Sequence, residues 1–441
     1  MSNPAQIASK MAEIVGATHV STQPSDRKRY RGMKPSVVVW PATANEVARI
    51  LMVSIELNAE VGVTGANTRQ EHWTRIGSQH RISLDTRRMN NILNLDETSL
   101  IVQAQTGIRF GQLEAALTRQ GLTLGSFPRA IHFSTLGGLL AHSPAFARSA
   151  LTGRIADSCL GLSVATTTGS VFTTKIVPRR ATGPDLLRVF LGSRGAFGVI
   201  TDAVMRIMRL PEQELPLIQV FPGLRQALDA VRNIFVAGIR PSHCQILNSK
   251  KAATILEPLG LPNTLWESNV ERSPAVVLAA LSGPEVVVEA QSQVLENIFE
   301  QAGSSETPDE LTNLWWKHEK SIPDEEPKGI AHTAGAHFRY SDLQALDKSL
   351  FRPKLEILID QLNIHGGIIW LSTTNSKSQK TISKLNEAFI DIGLVPVGQD
   401  FPTLAQEMRQ ELDPEKILLT PQWLTANQSS FGPLGPLRQE E

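Results

Sequence analysis

Hydrophobic positions along this chain recur at two spacings, and the switches between them mark its elements. Near the start, Ile7, Met11, Ile14 and Val15 in "PAQIASKMAEIV" share one side of a helical period and predict a short surface helix. "PSVVVWPAT" reads as a strand. Thr43 and Glu46 then stand at capping-box spacing ahead of Val47, Ile50 and Leu51, predicting a helix. "AEVGVTG" and "RISLDT" are short strands, and "SLIVQAQTG" is another that ends at Gly107. "FGQLEAALTRQG" is a short helix with Phe110, Leu113 and Leu117 on one face and Gly121 past its end. "LGLSVATTTGSVFTT" predicts a hairpin turning through Thr168 and Gly169, and "GVITDAVMRIMRL" a half-buried strand.

After Pro211 the elements lengthen. "LPLIQVF" is a strand, and "LRQALDAVRNIFVAG" a helix burying Leu228, Val231, Ile234 and Phe235. "AVVLAALSG" is a strand, "EVVVEAQSQVLENIFEQAG" a long helix, and "GIAHTAGAHFRY" a strand. "SDLQALDKSLFRPKLEILIDQLN" is predicted as a helix, "GGIIWLSTT" as a strand, and "SQKTISKLNEAFIDIG" as a helix leading into "LVPVG". The fold class is α+β. Residues 1–34 form an N-terminal helical segment, 35–211 a strand-rich unit and 212–398 a mixed α+β unit with an antiparallel sheet. Residues 399–425 return to the first unit, and the Gly/Pro/Ser-rich tail 426–441 is expected to be disordered. Regular strand–helix alternation is missing from the first unit, and no GxGxxG follows its first strand, so a Rossmann dinucleotide site is a weak reading.

Composition narrows the function classes. Lys plus Arg and Asp plus Glu both total 43, which argues against nucleic acid or a polybasic membrane surface as the main partner. No apolar stretch is long enough to span a membrane, and Lys10 and Glu13 interrupt any secretory core. Cys159 and Cys244 are the only cysteines and lack CxxC spacing, so the chain holds no four-cysteine cluster of its own and suits a reducing compartment. No metal site is expected, and a cytoplasmic location is.

The candidate chemistry starts at "VGVTGANTRQEHW", residues 61–73. Gly65 takes positive φ freely and Asn67 tolerates it, so the loop either turns the chain or wraps its amides around an anion as a nest. Thr64 and Thr68 add hydroxyl donors and Arg69 a charge. Gly137 and Gly138 after Thr135 permit close backbone approach or make a tight turn into a helix. "GSRGAFGVI" spaces Gly192, Gly195 and Gly198 for close passage.

Taken in order, four segments resemble the FAD-binding half of the vanillyl-alcohol oxidase/p-cresol methylhydroxylase (PCMH-type) superfamily. They are "PSVVVWPATANEVARIL", "TGANTR" with "ISLDTRRMNNILNLDETSLIVQAQTGIRFGQLEAALTRQGL", "FSTLGGLLA", and "TGPDLLRVFLGSRGAFGVITDAVMRI". "ELDPEKILL" is similar to the segment that closes the family's fold. The wording is nearest to glycolate oxidase flavin subunits, D-lactate dehydrogenases and alkylglycerone-phosphate synthases. The smaller glycolate oxidase flavin subunit is similar in its loop and in the "GGIIWLS" stretch at 366–372. The resemblance implies a two-subdomain PCMH-type FAD-binding domain over 35–211, an α+β cap over 212–398, and FAD as cofactor. It assigns to FAD Thr64, Gly65, Ala66, Asn67, Thr68, Arg69, Ser134, Thr135, Gly137, Gly138, Gly153, Gly198, Val199 and Ile200.

Departures from the family pattern are specific. Arg194 replaces a usual Glu, "AHSPA" at 141–145 replaces a glycine-containing turn, and "SFPRA" at 126–130 replaces an acidic stretch. The "TGANTR" loop carries no His, so the FAD is expected to be non-covalent. The H-x-G-D-G-N-x-H and E-H-G segments of the large 2-hydroxy-acid dehydrogenases are missing, as is the late histidine run of the alkylglycerone-phosphate synthases. Arg339 falls where the smaller glycolate oxidase subunit has an Arg before a helix, and His365 is what remains of the cap's histidine segment; these two are the catalytic candidates. His332 and His337 are five apart, on opposite strand faces, and Trp315 and Trp316 are expected in the core.

The expected function is an FAD-dependent oxidoreductase of the glycolate/D-lactate type with a small 2-hydroxy acid as substrate. It is expected to act as a subunit beside a second flavin subunit or an iron–sulfur partner, in the cytoplasm or held at the inner membrane through that partner. The alternatives are an alkylglycerone-phosphate-synthase-like flavoenzyme and a scaffold subunit without flavin function.

Overall fold

The computed structural model describes residues 3–30, 33–68, 73–74, 80–125, 129–143, 150–176, 185–262, 274–321, 333–342, 356–372, 389, 394–396 and 402–421. Through residue 209 the strands are β1 (Val20–Ser21), β2 (Val37–Val39), β3 (Glu60–Thr64), β4 (Trp73–Thr74), β5 (Arg81–Asp85), β6 (Ile92–Asp96), β7 (Ile101–Gln105), β8 (Leu122–Thr123), β9 (Cys159–Ala165), β10 (Val171–Thr173), β11 (Val199–Arg206) and β12 (Met208–Arg209). Then come β13 (Gln213–Phe221), β14 (His243–Asn248), β15 (Ala275–Gly283), β16 (Ser305–Glu306), β17 (Thr333–Arg339), β18 (Glu356–Asp360), β19 (Gly366–Ser372), β20 (Val395–Pro396) and β21 (Thr420–Pro421).

Two sheets build the N-terminal half. The first has the order β1-β2-β5-β3, with β2, β5 and β3 parallel. The second is the antiparallel order β10-β9-β11-β7-β6. The helix Ala44–Glu56 joins them. Its start is fixed as the spacing predicted: Thr43 Oγ1 accepts from the Glu46 amide at 3.1 Å, and Glu46 Oε2 accepts from the Ala42 amide at 2.7 Å. Its apolar face, Val47, Ala48, Ile50 and Leu51, shares one core with Val61 and Leu84 of the first sheet and with Ala165 and Val199 of the second. The N-terminal helix Pro4–Val15 lays Ile7, Met11 and Val15 into the same core.

One antiparallel sheet, order β16-β13-β15-β14-β18-β19-β17-β20, forms the second half. β15 shows why "AVVLAALSG" is an unbroken apolar run. Ala275, Val277, Ala279 and Leu281 face a core under the helices Leu224–Val236 and Glu285–Gln301. Val276, Leu278 and Ala280 face a core that holds Trp315 and Trp316. A strand covered on both faces has no polar alternation to show. The two tryptophans pack edge-on against His243, with centroids 5.2 and 5.8 Å apart, in the core as expected.

The helix predicted over 341–363 is corrected. Within its described residues, Ser341 and Asp342 belong to a short 3-10 turn and Glu356–Asp360 is β18, paired with β14 and β19. Pro353 cannot sit inside a helix without breaking it, and Ile357 and Ile359 fill the core at a two-residue spacing. Most of the "SQKTISKLNEAFIDIG" helix and all of the tail 426–441 lie outside the described residues. No helix among the described residues is long and apolar enough to cross a membrane.

Candidate functional site

β3 runs out at Thr64 into the loop 65–68, and three elements meet there. Thr64 Oγ1 lies 3.1 Å from Ser83 Oγ, and its carbonyl accepts from Thr86 Oγ1 at 3.2 Å, which fixes the strand end. Asn67 stands at φ +57°, the left-handed conformation its residue type tolerates. Its Nδ2 donates to the Arg29 carbonyl, and Thr68 Oγ1 lies 2.8 Å from Ser134 Oγ. Gly65 packs so closely on Thr135 that a Cβ would come within 2.1 Å of Oγ1. Among the described residues, the amides of Gly65, Ala66, Asn67 and Thr68 make no hydrogen bond, and the loop is half-buried or exposed. Four successive amides left open beside a hydroxyl pair suit an anion. Arg69 lies outside the described residues.

The second segment starts the helix Leu136–His142. Thr135 is its N-cap, accepting from the Gly138 amide at 3.3 Å, and the Gly137 amide donates to the Thr106 carbonyl at 2.8 Å. These amides are therefore spent inside the protein, and Thr135, whose hydroxyl takes one of them, is itself buried. Thr106 links this turn to the third segment, because its Oγ1 donates to the Ile200 carbonyl at 2.5 Å. Sequence reasoning missed Thr106; the signal was a Thr-Gly pair ending a strand.

The third segment closes on the helix's other end. The amides of Gly192 and Arg194 donate to the carbonyls of Leu140 and Ala141, at 3.0 and 2.8 Å. Arg194 holds φ +54°, in the left-handed region. Gly198 has φ +153°, and a Cβ there would sit 2.7 Å from Val164 Cγ1, so its glycine is required by β9. Val199 and Ile200 are buried at the start of β11. Gly153, at φ +70°, precedes the turn Ile155–Ser158, where Asp157 caps the Arg154 amide at 2.9 Å; that turn packs on the Leu136–His142 helix.

Beneath the loop sits a buried polar corner that the sequence reading did not single out. Asp85, fully buried, accepts from Tyr30 Oη at 2.5 Å, Trp40 Nε1 at 3.3 Å, and Arg87 Nε and Nη2 at 3.0 and 2.6 Å. Burial and the Asp85 carboxylate push the Tyr30 phenol well above its ordinary range. The Arg87 guanidinium is held still more firmly charged by its bond to Asp85. Asp85 pairs with Thr64 in the β3–β5 register, so the corner braces the loop's take-off point.

The two catalytic candidates share the other half's sheet. Arg339 pairs in register with Gly366, and the Tyr340 amide donates to the His365 carbonyl, so Arg339 and His365 lie at one end of β17 and β19. Arg339 is 77% exposed and bonded to Asp342 at 3.1 Å; His365 is exposed. His337 is exposed on β17, and His332 lies outside the described residues. No cluster of His, Cys, Asp and Glu fit for a metal ion occurs among the described residues.

Comparison with known proteins agrees with this geometry. A family model described as "FAD binding domain" matches residues 35–175, and one described as "FAD linked oxidases, C-terminal domain" matches 210–346. The uncharacterized FAD-linked oxidoreductase YgcU of Escherichia coli (strain K12) is 30% identical over 264 residues, 56% of this chain and 54% of that protein. The glycolate oxidase subunit GlcD of Bacillus subtilis is 27% identical over 273 residues, 61% of this chain and 56% of the other. The chain thus spans about half the length of the curated relatives it matches. Among solved structures, an alkyldihydroxyacetonephosphate synthase superposes with a TM-score of 0.74 at 19% identity, over 95% of this chain and 84% of that one. A p-cresol methylhydroxylase superposes at 0.72 with 14% identity, over 94% and 95%. The two family matches, in this order along the sequence, have one common reading: the chain belongs to the FAD-linked oxidoreductases, with an FAD-binding domain followed by the C-terminal domain of FAD-linked oxidases, on a fold it shares with p-cresol methylhydroxylase.

Proposed function

We propose that this protein binds FAD non-covalently on the 65–68 loop and oxidises a small 2-hydroxy acid of the glycolate or D-lactate type, as one subunit of a larger enzyme. The observation that carries the FAD site is the run of open amides from Gly65 to Thr68 beside Ser134 and Thr135. Bound there, FAD supplies a two-electron acceptor that no side chain of the protein provides. The chain's own part is to hold the diphosphate with amides and hydroxyls, with Asn67 and Gly65 keeping the loop in its open shape.

The subunit reading rests on similarity to GlcD, itself named a subunit, and on the exposed setting of Arg339 and His365. An Arg already bonded to Asp342 and open to water is a weak carboxylate clamp by itself. A partner that covered this sheet end would exclude water from it and strengthen the clamp. That partner is a second flavin subunit or an iron–sulfur protein, since Cys159 and Cys244 are both buried and cannot supply a cluster. A cytoplasmic or peripheral inner-membrane location goes with such a complex.

A second reading, an alkylglycerone-phosphate-synthase-like flavoenzyme, is favoured by the 0.74 superposition. Reductive titration separates the readings. The purified protein should be yellow and should lose its visible flavin band when glycolate or D-lactate is added without oxygen, with partner present if needed. A flavin that neither acid reduces under any of these conditions overturns the 2-hydroxy-acid assignment. A protein that takes up no FAD leaves only the scaffold role.

A further inference from the structure

The segment ahead of the FAD-binding domain carries a basic run, Arg27, Lys28, Arg29 and Arg31 around Tyr30, that the family comparison leaves unassigned. It is bolted to the site. Tyr30 is 2% exposed and donates to the buried Asp85, while Met33, equally buried, lies across β3, where a Cβ on Gly62 would meet its Cε at 2.1 Å. Tyr30 and Met33 form a small core with Val38 and Leu419. The Asn67 side chain then ties the loop itself to the Arg29 carbonyl. Rigid anchors on both sides leave little freedom in where residues 28 and 29 stand.

The described cations of this corner divide into two groups; Arg31 and Arg69 lie outside the described residues. Arg27 donates to the Pro35 carbonyl at 2.7 Å, Arg81 pairs with Glu60 at 2.9 Å, Arg87 with Asp85, and Arg88 donates to the Trp40 carbonyl at 3.0 Å. Lys28 and Arg29 are exposed and have no side-chain partner among the described residues. They sit beside the loop whose amides are open.

We infer that Lys28 and Arg29 are a cationic rim for the diphosphate bound on the 65–68 loop, drawing it in through solvent and favouring dinucleotide over uncharged flavin. This rests on the FAD reading above. The physical argument is one of range. Arg29's main chain touches Asn67, so its guanidinium, on a flexible stem, works within the Debye length, about 8 Å at physiological salt. A nest of neutral amides contributes fixed dipoles, whereas two solvent-facing cations contribute a field that reaches beyond contact and is weakened by salt.

The test is a FAD titration of the wild-type protein and a K28A/R29A variant by fluorescence quenching, across a series of salt concentrations. The double variant is expected to bind FAD about tenfold more weakly at low salt, two exposed charge contacts being worth roughly that together. Its log Kd should depend less steeply on log salt, and the two proteins should converge near ~0.5 M salt, where screening is nearly complete. K28R/R29K should restore both affinity and slope. Equal affinities and slopes overturn the inference and leave the FAD site standing. A loss of affinity that persists at high salt also overturns it, since it reports a damaged fold, not a missing field. If wild-type protein binds no FAD at all, the FAD reading fails and this inference with it.

Discussion

At Gly65 the loop backbone and the Thr135 side chain compete for one volume: a Cβ would lie 2.1 Å from Oγ1 and 2.9 Å from Cγ2. Thr135 cannot simply swing aside, because its hydroxyl caps the helix Leu136–His142 through the Gly138 amide. Gly65→Ala is therefore expected to cost about 1–3 kcal/mol by overpacking. It should also weaken FAD binding, because the open amides move with the loop. Thr135→Ala alone loses the cap at roughly 1 kcal/mol. Combined, the two changes should cost clearly less than their sum, since removing Oγ1 and Cγ2 makes the room that the added methyl group needs. A double-mutant cycle read by thermal unfolding of the flavin-free protein checks this. Strict additivity would show that the two residues do not share the volume the structure gives them.

β18 shows how an element can be misread and what the buried charge at its start does. The stretch "KLEILIDQLN" is predicted as helix, but Glu356 sits buried in a strand and its carboxylate accepts from Lys251 Nζ at 3.0 Å, Ser372 Oγ at 2.9 Å and Thr254 Oγ1 at 3.2 Å. None of those partners is near in sequence, so no periodicity could have announced them, and tertiary contact decided the strand. The elements that were legible carried local signals: the Thr43 cap, the Gly169 turn, the double-faced run of β15. The "TGANTR" loop was legible for the same reason, whereas Tyr30, Asp85 and Thr106 act across 55, 55 and 94 residues of chain and were not. Burial raises the Glu356 pKa, but Lys251, Ser372 and Thr254 outweigh it and hold the carboxyl below its ordinary value. Stability from a depressed carboxyl is present above the unfolded value, about 4.3, and is lost as pH falls through the folded one. Lys251→Met leaves the carboxylate without its cation and should destabilise the protein by about 1–3 kcal/mol at neutral pH. The gap to wild type should narrow as pH drops below that unfolded value. Acid unfolding curves followed by circular dichroism measure it; a gap constant with pH would mean that Lys251 acts by packing alone.

On the scale of the whole molecule, the chain leaves the first sheet, builds the large antiparallel sheet, and comes back to finish the first. Residues 417–419 lie alongside β3: the Val61 amide donates to the Ile417 carbonyl at 2.6 Å, and the Leu419 amide to the Val61 carbonyl at 2.8 Å. The returning segment is locked by a buried pair, Arg409 to Asp413 at 3.2 Å, and the Asp413 carboxylate also accepts from the amides of Ile417 and Leu418. Burial raises the Asp413 carboxyl and lowers the Arg409 guanidinium, each against the pull of the other, so each charge depends on its partner to stay ionised. The pair thus clamps residues 417–419 beside Val61, on the strand that runs out at Thr64 into the site loop. Breaking such a pair leaves a buried charge without its counter-ion, at roughly 3–5 kcal/mol, while replacing both members costs less. Asp413→Asn removes the charge and leaves an acceptor oxygen for only one of the two amides, so it should lower the melting temperature by several degrees, weaken FAD binding, and be partly rescued when Arg409→Met is added. Thermal melts and FAD titrations of the single and double variants decide it: if adding Arg409→Met makes Asp413→Asn worse in both, the return segment is held by packing and amide bonds, and its ion pair does not govern the strand that carries the loop.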